Sequence, residues 1–364
     1  MPPSEIASPP LAATLFSLVL LGILTLSLTL WLKTIRRWWR GETILPTNEA
    51  SALQPWGGID LLFAFLTWIS LQYLAVQLSG PLGLQPIADG SGRITIQGMT
   101  WIQLFSCYSL IVTTAFIALR CRIPIEAVGW SLAHWKNDLR LGLTAYVMLT
   151  PVIYLVMFLA TALSKVPYEH PLFDETRKDI GYLVPAFMLA VLAAPFFEEF
   201  VFRVLFQGFL ESIAAGGIRG RNLWLGRAAS SPAEIADFAK DQGSQLRPEA
   251  VPGVEISGFG FPVELSEVAL SDRNAAAAEG SPQTSSRSTP QAWWPVIVSG
   301  LVFGLFHYSY GISWIPLSIL GIALGWLYRI THRIWPGLIV HFCLNAVSMS
   351  MFALHVIYKL PISH

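Results

Sequence analysis

The chain has 364 residues, of which 54% are hydrophobic and only 13% charged, and its mean hydropathy is +0.55. A soluble protein carries about 25% charged residues, so this composition excludes an ordinary soluble domain and points to a membrane protein. The 23 basic and 23 acidic residues cancel, which argues against nucleic acid as a main partner.

Runs of about 20 apolar residues predict membrane-spanning helices. In chain order they cover Leu11–Leu32, Ile59–Leu78, Trp101–Leu119, Leu141–Leu163, Tyr182–Ile213, Pro295–Tyr308, Trp314–Tyr328 and Pro336–Tyr358. The expected fold is therefore all-α: a polytopic, multi-pass integral membrane protein with about eight transmembrane helices. In a bacterium it would lie in the plasma membrane. The first run has no basic residues before it and no small-residue cleavage site, so it reads as a retained helix rather than a signal peptide. The fifth contains Pro185 and Pro195, which predict a kink.

Flanking charges set the orientation. Lys33, Arg36, Arg37 and Arg40 follow the first segment, and Arg120, Arg122, Lys136 and Arg140 lie between the third and fourth. Arg219, Arg221 and Arg227 follow the fifth, and Arg329 and Arg333 the seventh. Every second connection is basic, which places these ends in the cytoplasm and both termini outside. The connection 123–139 holds Trp130 and Trp135 and reads as a short helix lying on the membrane surface. The Trp38-Trp39 cluster reads as a similar anchor.

Ala228–Gln291 differs in composition. It is rich in Ser, Ala, Pro and Gly, with an alanine run at 275–278, and reads as a mostly disordered cytoplasmic insertion. The chain accordingly divides into N-terminal helices with an amphipathic cytoplasmic loop (1–140) and a core (141–350) interrupted by 228–291. Cys107, Cys121 and Cys343 form no CxxC pair and no metal-ligand spacing.

The chemistry concentrates in three hydrophobic segments. Pro195–Arg203 puts Glu198, Glu199 and Arg203 where lipid is expected, at a cost of roughly 2.5–3.5 kcal/mol per charge at a helix centre. Glu199 and Arg203 are four apart and share a helix face, so each offsets the other. Glu198 lies about 100° away from Glu199 around the helix, outside that arginine's reach, and is the candidate general base. His307 ends a segment with Phe303 one turn earlier, and Gly300 and Gly304 permit close approach of another helix. A Glu198–His307 pair holding one water would be the minimum equipment for a nucleophile without metal. His341 and Asn345, also four apart, offer two donors for an oxyanion. The competing reading is a metal site built from the same histidines and carboxylates, without an HExxH pattern. At about 1.5 Å per residue, His341 would lie about 8 Å from its cytoplasmic helix end, His307 about 18 Å and Glu198 about 27 Å. Helix tilt must close that spread.

Glu198-Glu199-x-x-x-Arg203, Phe303-x-x-x-His307 and His341-x-x-x-Asn345, in this order, resemble the three motifs of the CPBP intramembrane protease family. That family includes type II CAAX prenyl endopeptidases and bacteriocin-processing and lysostaphin-resistance-like proteins, and the resemblance covers about 141–350. It implies a glutamate-dependent intramembrane endopeptidase that needs no cofactor. Glu198 and His307 would activate water, and His341 and Asn345 would hold the oxyanion. Glu199, Arg203 and Phe303 would structure the site. The implied partners are membrane lipid and a membrane-associated or prenylated peptide or protein substrate. A metal-dependent membrane hydrolase, or a non-enzymatic scaffold or transporter, would use the same side chains differently. The chain departs from the family pattern in two places: Val204 follows the arginine where glycine is usual, and the insertion lengthens the stretch from Arg203 to Phe303.

Overall fold

A computed structural model of the chain describes residues 11–42, 54–82, 88, 94–164, 180–215, 220–226 and 292–358. Among these it is almost entirely helical. The long helices are α1 (Leu11–Trp39), α2 (Gly58–Ser79), α3 (Ile96–Cys121), α4 (Trp135–Ser164), α5 (Ile180–Ala214), α6 (Trp294–Leu305), α7 (Trp314–Thr331) and α8 (Trp335–Tyr358). Seven are long and apolar enough to cross a membrane, so this is a polytopic integral membrane protein. The insertion expected at 228–291 lies outside the described residues.

The sixth expected span, α6, has 12 residues, or about 18 Å, against a hydrocarbon core of about 30 Å. It ends at Leu305, two residues before His307, passes through a 3₁₀ turn at Tyr308–Ser313 and returns as α7. Gly300 and Gly304 close this hairpin. A β-carbon at Gly300 would stand 2.5 Å from the Ile322 backbone nitrogen, and one at Gly304 would collide with Ser318. The small residues thus let the two backbones touch, and Arg329 of α7 ties the far end of the hairpin by donating to the Ala292 carbonyl at 3.1 Å.

Helix α5 is one span, but its α-helical hydrogen-bond register is interrupted twice. Leu189–Ala193 and Phe200–Gln207 are π-helical and flank a six-residue α-helical stretch, Ala194–Glu199. The distortion expected from Pro195 takes this form. Val204, which follows the arginine, is fully buried. Its bulk is accommodated across the interface by Gly129, whose φ of +95° favours glycine and whose absent β-carbon would lie 3.1 Å from Val204 Cγ2.

The helix ends that the basic residues assign to the cytoplasm are tied by ion pairs. Arg120 at the end of α3 pairs with Asp60 at the start of α2. Arg333 binds Asp138 through both Nε and Nη2, with both side chains fully buried. His332 Nε2 meets Glu211 Oε2 at 2.9 Å. Several of the charges that mark orientation therefore also clamp neighbouring helices.

The connection before α4 differs from expectation. It forms a 3₁₀ turn at Ile125–Val128 with Ala127 and Val128 buried. Trp130 turns inward, stacking on Phe200 at 5.6 Å and donating to Thr114 Oγ1. Trp135 alone of the pair is exposed, at 54%. An aromatic shelf made by Phe196, Phe200 and Trp335 offers Trp130 more burial than the membrane interface would.

Gly300→Leu should lower the thermal unfolding midpoint of the detergent-solubilised protein, by the equivalent of about 1–3 kcal/mol of overpacking. Gly22→Leu, where a β-carbon meets nothing within 4 Å, should leave the midpoint unchanged.

Candidate active site

The site assembles from α5, α6 and α8. On α5, Glu199 and Arg203 are each 1% exposed, with Oε2 of the acid 3.4 Å from Nε of the arginine. Arg203 Nη1 donates to Ser299 Oγ on α6 at 2.9 Å, and Ser299 donates onward to the Phe202 carbonyl at 2.8 Å. The guanidinium also lies over the Phe303 ring, 5.0 Å from its centroid. The second oxygen of Glu199 is 3.2 Å from His341 Nδ1 on α8. Gly337, one turn before His341, makes room for this contact. A β-carbon there would stand 2.7 Å from Glu199 Oε2.

Glu198 faces the two histidines. Its Oε1 is 3.9 Å from His307 Nε2, and its Oε2 is 3.6 Å from His341 Nε2. His307 Nδ1 is 2.9 Å from the Phe303 carbonyl. A carbonyl only accepts, so Nδ1 carries the proton and Nε2 of the neutral ring turns its lone pair toward Glu198. At 3.9 Å the pair is too far apart for a direct hydrogen bond and suitably spaced for one bridging water. Glu198 and His307 side chains are 21% and 19% exposed, against 4% or less for Glu199, Arg203 and His341. The site thus has an accessible rim and a sealed back wall.

Phe303, fully buried, joins the two. Its ring lies 5.1 Å from that of His307, 5.8 Å from His341 and 5.3 Å from Phe202. One residue one turn before a histidine thereby fixes both imidazoles and the arginine.

Asn345 is placed differently from its expected partner. Its Nδ2 donates to the Ala190 carbonyl at 2.7 Å. The reason lies in α5. The Ala194 N–H bonds Leu189 O in the i→i+5 register, and the next such bond would run from residue 195 to Ala190 O. Proline has no N–H, so the carbonyl is orphaned and Asn345 satisfies it. One amide hydrogen of Asn345 is committed to this contact, and the other is the one available to an oxyanion.

The structure therefore brings Glu198, Glu199, Arg203, Phe303, His307 and His341 into one cluster despite the spread of depths estimated from helix ends. Glu198 lies about midway along the 35-residue α5. Helix α8 begins at a turn, His332–Ile334, that is itself buried, so His341 starts from inside the bundle rather than from its surface. Two features escape sequence reasoning. His341 sits between both carboxylates, which no spacing within one helix reveals. Ser299 holds Arg203, and its signal was present: Ser299, Phe303 and His307 recur every fourth residue on one face of α6. Among the described residues, no three His, Cys, Asp or Glu side chains form a group that could hold a metal ion.

Residues 277–347 match the family model described as Rce1-like, type II CAAX prenyl endopeptidase Rce1-like. The matched segment contains Phe303, His307, His341 and Asn345, and agrees with the resemblance drawn from the three motifs. Glu198, Glu199 and Arg203 lie before it. No curated protein and no solved structure matches the chain.

Asn345→Ala should leave the half-buried Ala190 O without its donor, at a cost of about 1 kcal/mol. A lowered thermal midpoint in detergent would register it, whether or not peptide cleavage is assayed.

Proposed function

We propose that the protein is an intramembrane endopeptidase in which Glu198 is the general base and no metal takes part. The observation that carries this reading is the 3.9 Å spacing between Glu198 Oε1 and the acceptor nitrogen of His307. Two acceptors at that separation, on the exposed rim of an otherwise buried site, are equipment for holding one water. The match of 277–347 to the prenyl endopeptidase model supports the same reaction class.

The bridging water donates one hydrogen to Glu198 and one to His307. Glu198 takes a proton as the water oxygen attacks the carbonyl carbon of the substrate peptide, giving a tetrahedral intermediate. His341 as the imidazolium, with Nδ1 donating to Glu199 and Nε2 left to donate, and the amide hydrogen of Asn345 not used by Ala190 are the donors assigned to the oxyanion. The proton held by Glu198 then passes to the leaving amine as the C–N bond breaks, which regenerates the carboxylate. Glu199 and Arg203 take no proton in this scheme. They hold His341 in place. A membrane-associated or prenylated protein fits as substrate, because the catalytic atoms lie midway along a spanning helix and a peptide bond must be brought to that depth.

Glu198→Ala and His307→Ala should each remain folded and lower peptide cleavage by about 10²–10⁴-fold, as removal of a positioned acid–base group does. Terminal-peptide proteomics on membranes carrying wild type or variant provides the readout. Neo-termini should be present with wild type and depleted with both variants. Identical termini in wild-type and Glu198→Ala membranes would overturn the assignment. Cleavage that disappears on exhaustive chelation and returns with added zinc would instead establish the metal-dependent alternative.

A further inference from the structure

Helix α1 is held weakly by protein. Its apolar window is 6% buried, and its one buried residue is Ser27. It packs against α4, with Trp31 Nε1 donating to the Met148 carbonyl at 3.1 Å. The two helices run antiparallel, so the register can be followed from that contact toward the cytoplasm. At about 1.5 Å per residue, Arg40 is about 13 Å beyond Trp31, and Arg140 about 12 Å beyond Met148. The cationic ends of both helices therefore reach the same level.

The charges there do not balance. Lys33, Arg36 and Arg40 fall on one stripe of α1 at i, i+3 and i+7, and all three are exposed. Lys136 and Arg140, four apart on α4, are exposed as well. The acids of this region are mostly committed elsewhere. Glu42 is shared by Arg37 and Arg40, at 2.8 and 4.0 Å, and Asp138 is bound by Arg333. Glu126, on the turn before α4, forms no ion pair with these cations. Among the described residues, Lys33, Arg36, Lys136 and Arg140 have no acidic partner. Like charges on adjacent helices repel, so this arrangement favours an anion between them. Exposed Trp38, Trp39 and Trp135 surround the cluster and set it at headgroup depth.

We propose that the cytoplasmic ends of α1 and α4 form a binding site for the headgroup of an anionic phospholipid, which fastens α1 to the rest of the protein. The phosphate sits among Lys33, Arg36, Arg40, Lys136 and Arg140, and the acyl chains follow the exposed apolar surface of α1. The site is independent of the peptidase reading and uses none of its residues.

Native mass spectrometry of the full-length protein tests this. Wild type in nonionic detergent is offered equimolar phosphatidylglycerol and phosphatidylcholine. Preferential retention of phosphatidylglycerol is expected, and millimolar glycerol phosphate should not displace it. A cation near an anionic lipid is worth about fivefold in affinity, so Lys136→Gln/Arg140→Gln should cut the preference by an order of magnitude or more. Lys33→Gln/Arg36→Gln should do the same from the opposite helix, and it carries the test should the α4 variant fail to fold. Arg122→Gln, at the end of α3, should leave the preference intact. Equal retention of both lipids by wild type, or an undiminished preference in the Lys33→Gln/Arg36→Gln protein, would overturn the proposal. Displacement by glycerol phosphate would do so too, by assigning the site to a soluble phosphate.

Discussion

The buried pair of Glu199 and Arg203 is the interaction on which the rest of the site depends. Neither side chain is more than 1% exposed, and neither charge is tolerable there alone. Removing one partner of such a pair typically costs about 3–5 kcal/mol, because the other is left uncompensated. The pair is also a junction. Arg203 reaches α6 through Ser299 and Phe303, while Glu199 reaches α8 through His341. A single charged couple on α5 thereby fixes both helices that carry the histidines. Its remaining polar atoms are incompletely satisfied: Glu199 Oε2, Arg203 Nε and Arg203 Nη2 lack a hydrogen bond of good geometry. Stability alone is a weak reason to keep such an arrangement. Under the proposed peptidase function, holding the His341 imidazole in place is a better one.

Backbone irregularity does the remaining work of alignment. The two π-helical stretches of α5 bracket the glutamates, so the acids sit on a short, regular segment whose phase is offset from both neighbours. Pro195 leaves Ala190 O without its donor, and Asn345 supplies one from α8. That contact draws α8 toward α5 above His341, as Glu199 does at His341 itself. Gly337 then permits the close passage of the two helices. The site is held by one ion pair, one amide and one missing side chain, each on a different turn.

Much of this was legible in the sequence because charge is so costly in a hydrophobic run. Glu198, Glu199 and Arg203 announce themselves by type alone, and the i, i+4 rule separates the paired acid from the unpaired one. The helical fold and its segments follow from hydropathy, and α6 is already the shortest apolar run in the sequence, Pro295–Tyr308. The meeting of Glu198 with His307 was expected from their chemistry, but the place of His341 between both carboxylates was not legible. Helix ends gave three discordant depths, and the buried start of α8 accounts for the part that concerns His341. Trp130 misled for a related reason. An indole beside basic residues suggests an interface, yet the aromatic surface of Phe196, Phe200 and Trp335 that draws it inward is assembled from distant parts of the chain.

The separation of roles between adjacent glutamates is the most direct point of attack. Thermal unfolding in detergent and peptide cleavage can be measured side by side for Glu198→Gln and Glu199→Gln. If Glu198 carries the chemistry and Glu199 the structure, Glu198→Gln keeps the wild-type unfolding midpoint and loses cleavage, whereas Glu199→Gln unfolds at a lower temperature. A Glu198→Gln protein that cleaves at the wild-type rate, or a Glu199→Gln protein with an unaltered midpoint, would contradict it.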